Sequence, residues 1–282
     1  MDLGNRIIDA HHHLWKYNCS DFGWMDDSME VLKRDYLPAQ LEGHLSDSGI
    51  SGTVVVQARQ IPGETEWLLE MADKFPFIRG VVGWVDLRSE NLKAQLEEFE
   101  GHQKLVGLRH VIHDEPDDDF MLHPAFLKGM EVLQEYGLTY DLLLFPRHLK
   151  KAVQLVRLFP GIRFILDHMS KPPIRSGNIQ PWKEDITALA GLPNVWCKVS
   201  GMVTEADHRR WKYEDLVPYI EVVLNVFGAD RLMVGSDWPV CRLAGAYEAV
   251  MAVPFRFFGE LSSTEQKKIY MQNAVDCYAL EI

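Results

Sequence analysis

The sequence predicts an α/β fold, a (β/α)8 TIM barrel formed as a single domain over residues 1–282. Three observations predict it. Short β-rich apolar runs alternate with amphipathic helical stretches about eight times. Several runs are apolar throughout, as in Thr53-Val54-Val55-Val56 and Leu232-Met233-Val234, which implies strands buried on both faces of a parallel sheet. Glycines 49, 137, 161, 191 and 228 follow the helical stretches, where helix C-caps favour them.

In chain order, strands are expected at 7–14, 52–58, 78–86, 105–112, 139–144, 162–168, 195–200 and 231–236. Helices are expected between them at 38–48, 64–75, 90–99, 123–136, 147–159, 181–190, 213–227 and 244–258. A last helix at 262–280 begins on Ser262-Ser263-Thr264-Glu265, a capping-box sequence. Residues 16–37 are long for a loop, and in a barrel they lie over the catalytic end. The acidic run Asp114–Asp119 reads as a solvated loop. A doubly wound sheet would announce a glycine-rich turn after its first strand. Here that strand ends in histidines and Trp15.

Twenty-nine Lys and Arg stand against 41 Asp and Glu, a net charge of -12. That balance argues against nucleic acid and against an anionic membrane as partners. The start of the chain lacks a basic segment followed by a long apolar run, and no stretch is apolar enough to span a membrane. Four cysteines without a C-x-x-C pair read as buried reduced thiols. A cytoplasmic protein acting on a small molecule is expected; assembly into a homo-oligomer is left open.

Chemistry concentrates at three strand ends. In Asp9-Ala10-His11-His12-His13-Leu14-Trp15 the side chains of His11 and His13 point one way and His12 the other. Such imidazoles, about 7 Å apart along the strand, can converge on one ion or one substrate oxygen. The run Ile165-Leu166-Asp167-His168-Met169-Ser170-Lys171-Pro172 ends a strand in a third imidazole, with Asp167 placed to orient it or cap the loop. Gly235-Ser236-Asp237-Trp238-Pro239 brings a carboxylate to the barrel mouth. Three histidines and one aspartate suit a mononuclear metal with an open position, or a metal-free site in which Asp237 activates water. Arg59, Arg109, His113 and Lys171 lie in or just after apolar strands, placed for substrate hydroxyls or a carboxylate. Trp24 and Trp238 are candidates to flank a ring; Trp84 reads as core and Trp15 as packing beneath the site. His44, His102, His123, His148 and His208 receive no role.

The ordered set resembles the amidohydrolase superfamily. Together with Gly80–Leu87, Gly107-Leu108-Arg109-His110 and Lys198-x-Ser200-Gly201 it is similar to the branch containing sugar-acid lactonases and a pyrone-dicarboxylate lactonase. The resemblance implies a hydrolase that opens the ring ester of an aldonolactone in carbohydrate catabolism. Asp237 would be the base for water; His11, His13 and His168, with Asp237, would hold one divalent metal, zinc by family habit, or polarise the carbonyl directly. The bridging lysine or glutamate of two-metal members has no counterpart, and Arg109 occupies the nearest position. A zinc-dependent non-oxidative decarboxylase of the same superfamily is the alternative. A barrel that binds without turnover is a third reading.

Overall fold

The computed structural model describes residues 7–282. The reading of the chain start falls on residues 1–6, outside them. Eight strands form one parallel sheet in sequence order: β1 Ile7–His12, β2 Ile50–Val56, β3 Ile78–Gly83, β4 Leu105–His110, β5 Thr139–Leu142, β6 Phe164–Leu166, β7 Val195–Val199 and β8 Leu232–Val234. The barrel closes where β8 returns to β1. His13 N donates to Trp238 O at 2.6 Å and Asp237 N to His11 O at 2.8 Å. Gly235 permits that approach, since a Cβ there would lie 2.7 Å from His11 Cβ.

The helices wrap the outside: α1 Pro38–Ser48, α2 Pro62–Lys74, α3 Leu92–Glu97, α4 Pro124–Tyr136, α5 Leu149–Leu158, α6 Trp182–Ala190, α7 Tyr213–Phe227 and α8 Tyr247–Phe258. Proline opens α1, α2 and α4, where a missing N–H costs nothing. Gly49 and Gly137 end α1 and α4 in the left-handed region, as expected. Gly191 does not; it continues the right-handed turn of α6. Among the described residues no helix is long and apolar enough to cross a membrane.

Two expectations change. The strands are shorter than expected: β6 ends at Leu166 and β8 at Val234, before His168 and Asp237, whereas His11 and Arg109 stay within β1 and β4. The final helix is not continuous: α9 Ser263–Lys267 and α10 Asn273–Tyr278 are separated by a wider π turn at Lys268–Gln272. This segment seals the end of the barrel where the strands begin. Leu280 lies against Gly80 near the start of β3, and Arg163 donates to Asp276 O at 3.2 Å.

An inner apolar cluster joins Ile8, Val54, Val82, Val106, Ile165 and Met233, from six strands, to Met271, Ala274, Tyr278 and Leu280 of that closing segment. The two strands missing from it, β5 and β7, contribute Asp141 and Lys198 instead, both fully buried. A second, larger cluster packs helices on the outside of the sheet. Cys197, Cys241 and Cys277 are buried free thiols as expected, whereas Cys19 is exposed in the loop after β1. Met233 is a test of the inner cluster. Met233→Ala should lower unfolding stability by about 2–5 kcal/mol, measured by urea denaturation.

Candidate active site

At the far ends of the strands lies a cavity of about 580 Å³, a size common for small-molecule sites. His13, His168 and Asp237 are exposed to it, together with Arg59, Arg109, His113, Lys171 and Trp24. The loop 16–37 covers one side and contributes Asp21, Trp24 and Met29. It is fastened by paired backbone bonds between Trp15 and Tyr36, both 2.9 Å.

His11 and His13 converge as the two-residue spacing predicts. Their Nε2 atoms are 3.2 Å apart, while His12 turns to Thr53 Oγ1 at 2.9 Å. His13 Nδ1 lies 2.8 Å from the Val56 carbonyl, which can only accept, so Nδ1 carries the proton and Nε2 a lone pair. His11 Nδ1 lies 3.2 Å from both Asp167 Oδ1, an acceptor, and Lys198 Nζ, a donor. His168 Nδ1 is bonded to Ser200 Oγ at 2.9 Å, which turns its Nε2 toward Asp237. Asp237 Oδ1 is 3.5 Å from His13 Nε2, 3.7 Å from His168 Nε2 and 4.0 Å from His11 Nε2.

The backbone is forced to present these groups. His168, Met169, Ser170 and Lys171 all have positive φ, between 49° and 59°, and Asp237 has 57°. Left-handed backbone costs a residue with a Cβ on the order of 1–3 kcal/mol. Hydrogen bonds hold the turn, from Lys171 N to His168 O and from Trp182 Nε1 to Met169 O, both 2.8 Å. The Asp237 carbonyl accepts from Cys241 N at 2.8 Å. Gly201 has φ +62°, and a Cβ there would stand 2.6 Å from His168 Nδ1.

Beneath the imidazoles lies a charged network whose members are almost wholly buried. Lys198 Nζ reaches Asp141 Oδ2 at 2.5 Å, Asp167 Oδ1 at 2.9 Å and His11 Nδ1 at 3.2 Å. Arg109 donates to Asp167 Oδ2 at 2.9 Å, to Gln57 Oε1 at 3.0 Å and to the Gln57 carbonyl. Tyr278 donates to Asp141 from the barrel floor, 2.8 Å from Oδ2. Against burial, Lys198, His11 and Arg109 hold the Asp167 carboxyl well below its ordinary value. Burial dominates at Asp141 and pushes it up to about 6, although Lys198 opposes the shift. Burial also lowers His168 to about 3 and His11 well below the imidazole range, so both rings are neutral at neutral pH. Burial would raise Asp237, but His168, His13 and Lys171 hold it below the usual carboxylate value.

The ligand atoms of His11, His13 and Asp237 all lie within 4.8 Å of one another and suit a divalent ion. Tetrahedral bonds of about 2.1 Å separate neighbouring ligand atoms by about 3.4 Å, close to the 3.2, 3.5 and 4.0 Å spacings in that set, and His168 Nε2 stands 3.7 Å from Asp237 Oδ1. His11 Nε2 and His13 Nε2 face each other at 3.2 Å, and the Nδ1 partners of His13 and His168 orient those rings as metal-site neighbours do. Beside it, His11, Asp167 and His168 form a second such group, approached by cations of the protein. Arg109 Nη1 stands 3.4 Å from His11 Nε2 on that side, and Asp167 is already held by two cations.

Of the other expected residues, Arg59 reaches the cavity but is paired with Asp21 at 2.7 Å. Lys171 is paired with Glu205 at 3.0 Å. His113 is stacked on Phe145 beside Asp114. Trp24 is 44% exposed at the rim. Trp238 is a correction: it is buried at 1%, packs on Tyr36, and is absent from the cavity lining. It follows a left-handed Asp237, which turns the indole back into the protein. Trp15 also touches the cavity, and Trp84 is core as expected. The acidic run is not simply solvated. Glu115 contacts His110 at 2.7 Å, Asp117 contacts His123 at 2.6 Å, Asp118 contacts Arg147 and His148, and Asp119 contacts Lys151 at 2.7 Å.

The residues missed from sequence are Asp141 and Tyr278 in the buried network and Asp21, Glu205 and His208 on the cavity lining. A charge inside an otherwise apolar strand was the available signal for Asp141, because such a group must be paired.

A family model described as amidohydrolase matches residues 8–280. The chain is 37% identical to an L-fucono-1,5-lactonase of Burkholderia multivorans, covering 99% of this chain and 97% of that one. It is 39% identical to an L-fucono-1,5-lactonase of Burkholderia ambifaria, covering 85% and 82%. A crystal structure of an amidohydrolase from Burkholderia multivorans with bound zinc superimposes with a TM-score of 0.94 at 38% identity, covering 98% and 99%.

Two substitutions test this site. Lys198→Met leaves Asp141 without its cation and Asp167 with Arg109 alone, and should cost about 3–5 kcal/mol in chemical denaturation. Gly201→Ala adds a methyl against His168 in a left-handed backbone, and a crystal structure of the variant should show the ring displaced from Asp237.

Proposed function

The chain belongs to the amidohydrolase family, and on that premise we propose that it opens the ring ester of a sugar-acid lactone with water activated by Asp237. The observation that carries the reading is an ionised carboxylate with three imidazole Nε2 atoms within 4.0 Å of its Oδ1 at the cavity floor. The high identity to proteins named L-fucono-1,5-lactonase supports an aldonolactone as the substrate.

In this reading a lactone lies in the cavity with its carbonyl at the imidazole cluster. One divalent ion, which we propose to be zinc, would be held by His11, His13, His168 and Asp237 and would supply Lewis acidity at the carbonyl oxygen. Asp237 accepts a proton from water as the oxygen of that water bonds to the carbonyl carbon. The carbonyl oxygen gains negative charge, and the Arg109 guanidinium, 3.4 Å from His11 Nε2, adds positive charge nearby. The ring C–O bond then breaks, and the departing oxygen takes the proton from Asp237. The product is the open hydroxy acid.

The reading is tested by mixing the purified protein with a panel of aldonolactones and following acid release. Turnover is expected, and Asp237→Asn should reduce kcat by about 10²–10⁴-fold. Release of carbon dioxide from an unsaturated acid, with no acid release from any lactone, would replace it with the decarboxylase reading. Metal analysis should find one divalent ion per chain, and His13→Ala should lower that content. The acid side of the pH profile follows from Asp237. Its pKa is depressed, so the base form is present above the ordinary carboxylate value and is lost only as pH falls through the lowered one. His168, at about 3, behaves alike. Values of kcat/KM measured between about pH 8 and 5 should therefore show no protonation step from either group.

A further inference from the structure

The cations around the cavity differ from a carboxylate-binding set in one respect. Each lysine and arginine among the described lining residues already has a carboxylate within hydrogen-bond distance. Arg59 Nη1 is 2.7 Å from Asp21 Oδ2, Lys171 Nζ is 3.0 Å from Glu205 Oε1, and Arg109 Nη1 is 2.9 Å from Asp167 Oδ2. The first two pairs stand on separate walls and are partly shielded, with side chains 15–31% exposed. Arg59 is fixed further by Glu64, a wholly buried carboxylate that accepts from Arg59 N at 2.6 Å and lies 3.5 Å from Arg59 Nε. Such a pair offers a donor and an acceptor side by side. A sugar hydroxyl, which both donates and accepts, matches it. A substrate carboxylate does not, because it must displace Asp21 or Glu205 or sit beside it.

We infer that the Lys171–Glu205 and Arg59–Asp21 pairs select uncharged polyhydroxylated lactones and exclude lactones bearing an additional carboxylate. The inference rests on the lactonase reading and deepens it. Glu205 and Asp21 are the specificity-determining residues. They act by neutralising cations that would otherwise bind an anionic substituent, which is selection by repulsion as much as by attraction.

The test uses an aldonolactone and the matching aldarolactone, identical except that the latter carries a terminal carboxylate. The wild-type protein should favour the neutral lactone by at least about tenfold in kcat/KM. Glu205→Gln frees Lys171, and Asp21→Asn frees Arg59 on the opposite wall. Each should raise the ratio of aldarolactone to aldonolactone kcat/KM by about tenfold, an increase that added salt diminishes. If one variant fails to fold, the other carries the test. Equal use of both lactones by the wild type, or an unchanged ratio in the folded variants, would overturn the inference. Calorimetric binding of both lactones to Asp237→Asn reads the same preference without turnover. A failure of hydrolysis is thereby separated from a failure of the charge filter.

Discussion

One buried carboxylate, Asp167, holds the site together. It sits at the start of the left-handed turn, 2.9 Å from Lys198 and 2.9 Å from Arg109, and faces the Nδ1 of His11. Its charge is stable inside the barrel only because two cations from β7 and β4 are brought to it. Lys198 in turn needs Asp141 from β5, and Asp141 needs the Tyr278 hydroxyl from the closing helix. The network therefore ties the floor of the barrel to the orientation of an imidazole at its mouth. Replacing Lys198 would strand the Asp141 charge in an apolar interior.

The second constraint is conformational. Six described residues with a Cβ adopt left-handed backbone, and three of them, His168, Lys171 and Asp237, line the cavity. A flexible loop would relax out of that geometry. Here the strain is sustained because both segments leave the strong, buried ends of β6 and β8 and are bonded at once to neighbouring elements. The closing of the barrel contributes directly, since the bond from Asp237 N to His11 O sets the base beside the imidazoles. Barrel closure and assembly of the site are thus one event.

Much of this was legible in the sequence. Strand–helix alternation gave the barrel, and the two-residue spacing of His11 and His13 placed their rings together. The ends of the apolar runs pointed to His168 and Asp237. What was not legible depends on the third dimension. Trp238 was expected at the cavity, but a left-handed residue before it sends the indole inward, and no local pattern signals that turn. The π turn at Lys268–Gln272 interrupts a stretch whose periodicity reads as one helix. Asp141 and Lys198 share no local motif; only the register of β5, β6 and β7 brings them to Asp167. Arg59 and Lys171 were visible as cations, yet their partners come from other loops, so their pairing could not be seen in one dimension.

That pairing changes what the cavity offers. Three cations near a catalytic mouth, Arg59, Arg109 and Lys171, leave hydroxyls or a carboxylate open as partners when only the sequence is in hand. With Asp21, Glu205 and Asp167 in place, the same residues form neutral walls. In the proposed reaction an uncharged ring becomes a carboxylate inside a cavity that already contains Asp237, Asp21 and Glu205. The walls that accept the substrate's hydroxyls provide no free cation to retain the new charge. The chain as a whole, at a net charge of -12, adds a field of the same sign. Paired walls that admit a neutral substrate thus also favour departure of an anionic product, so one electrostatic arrangement serves both selection and release.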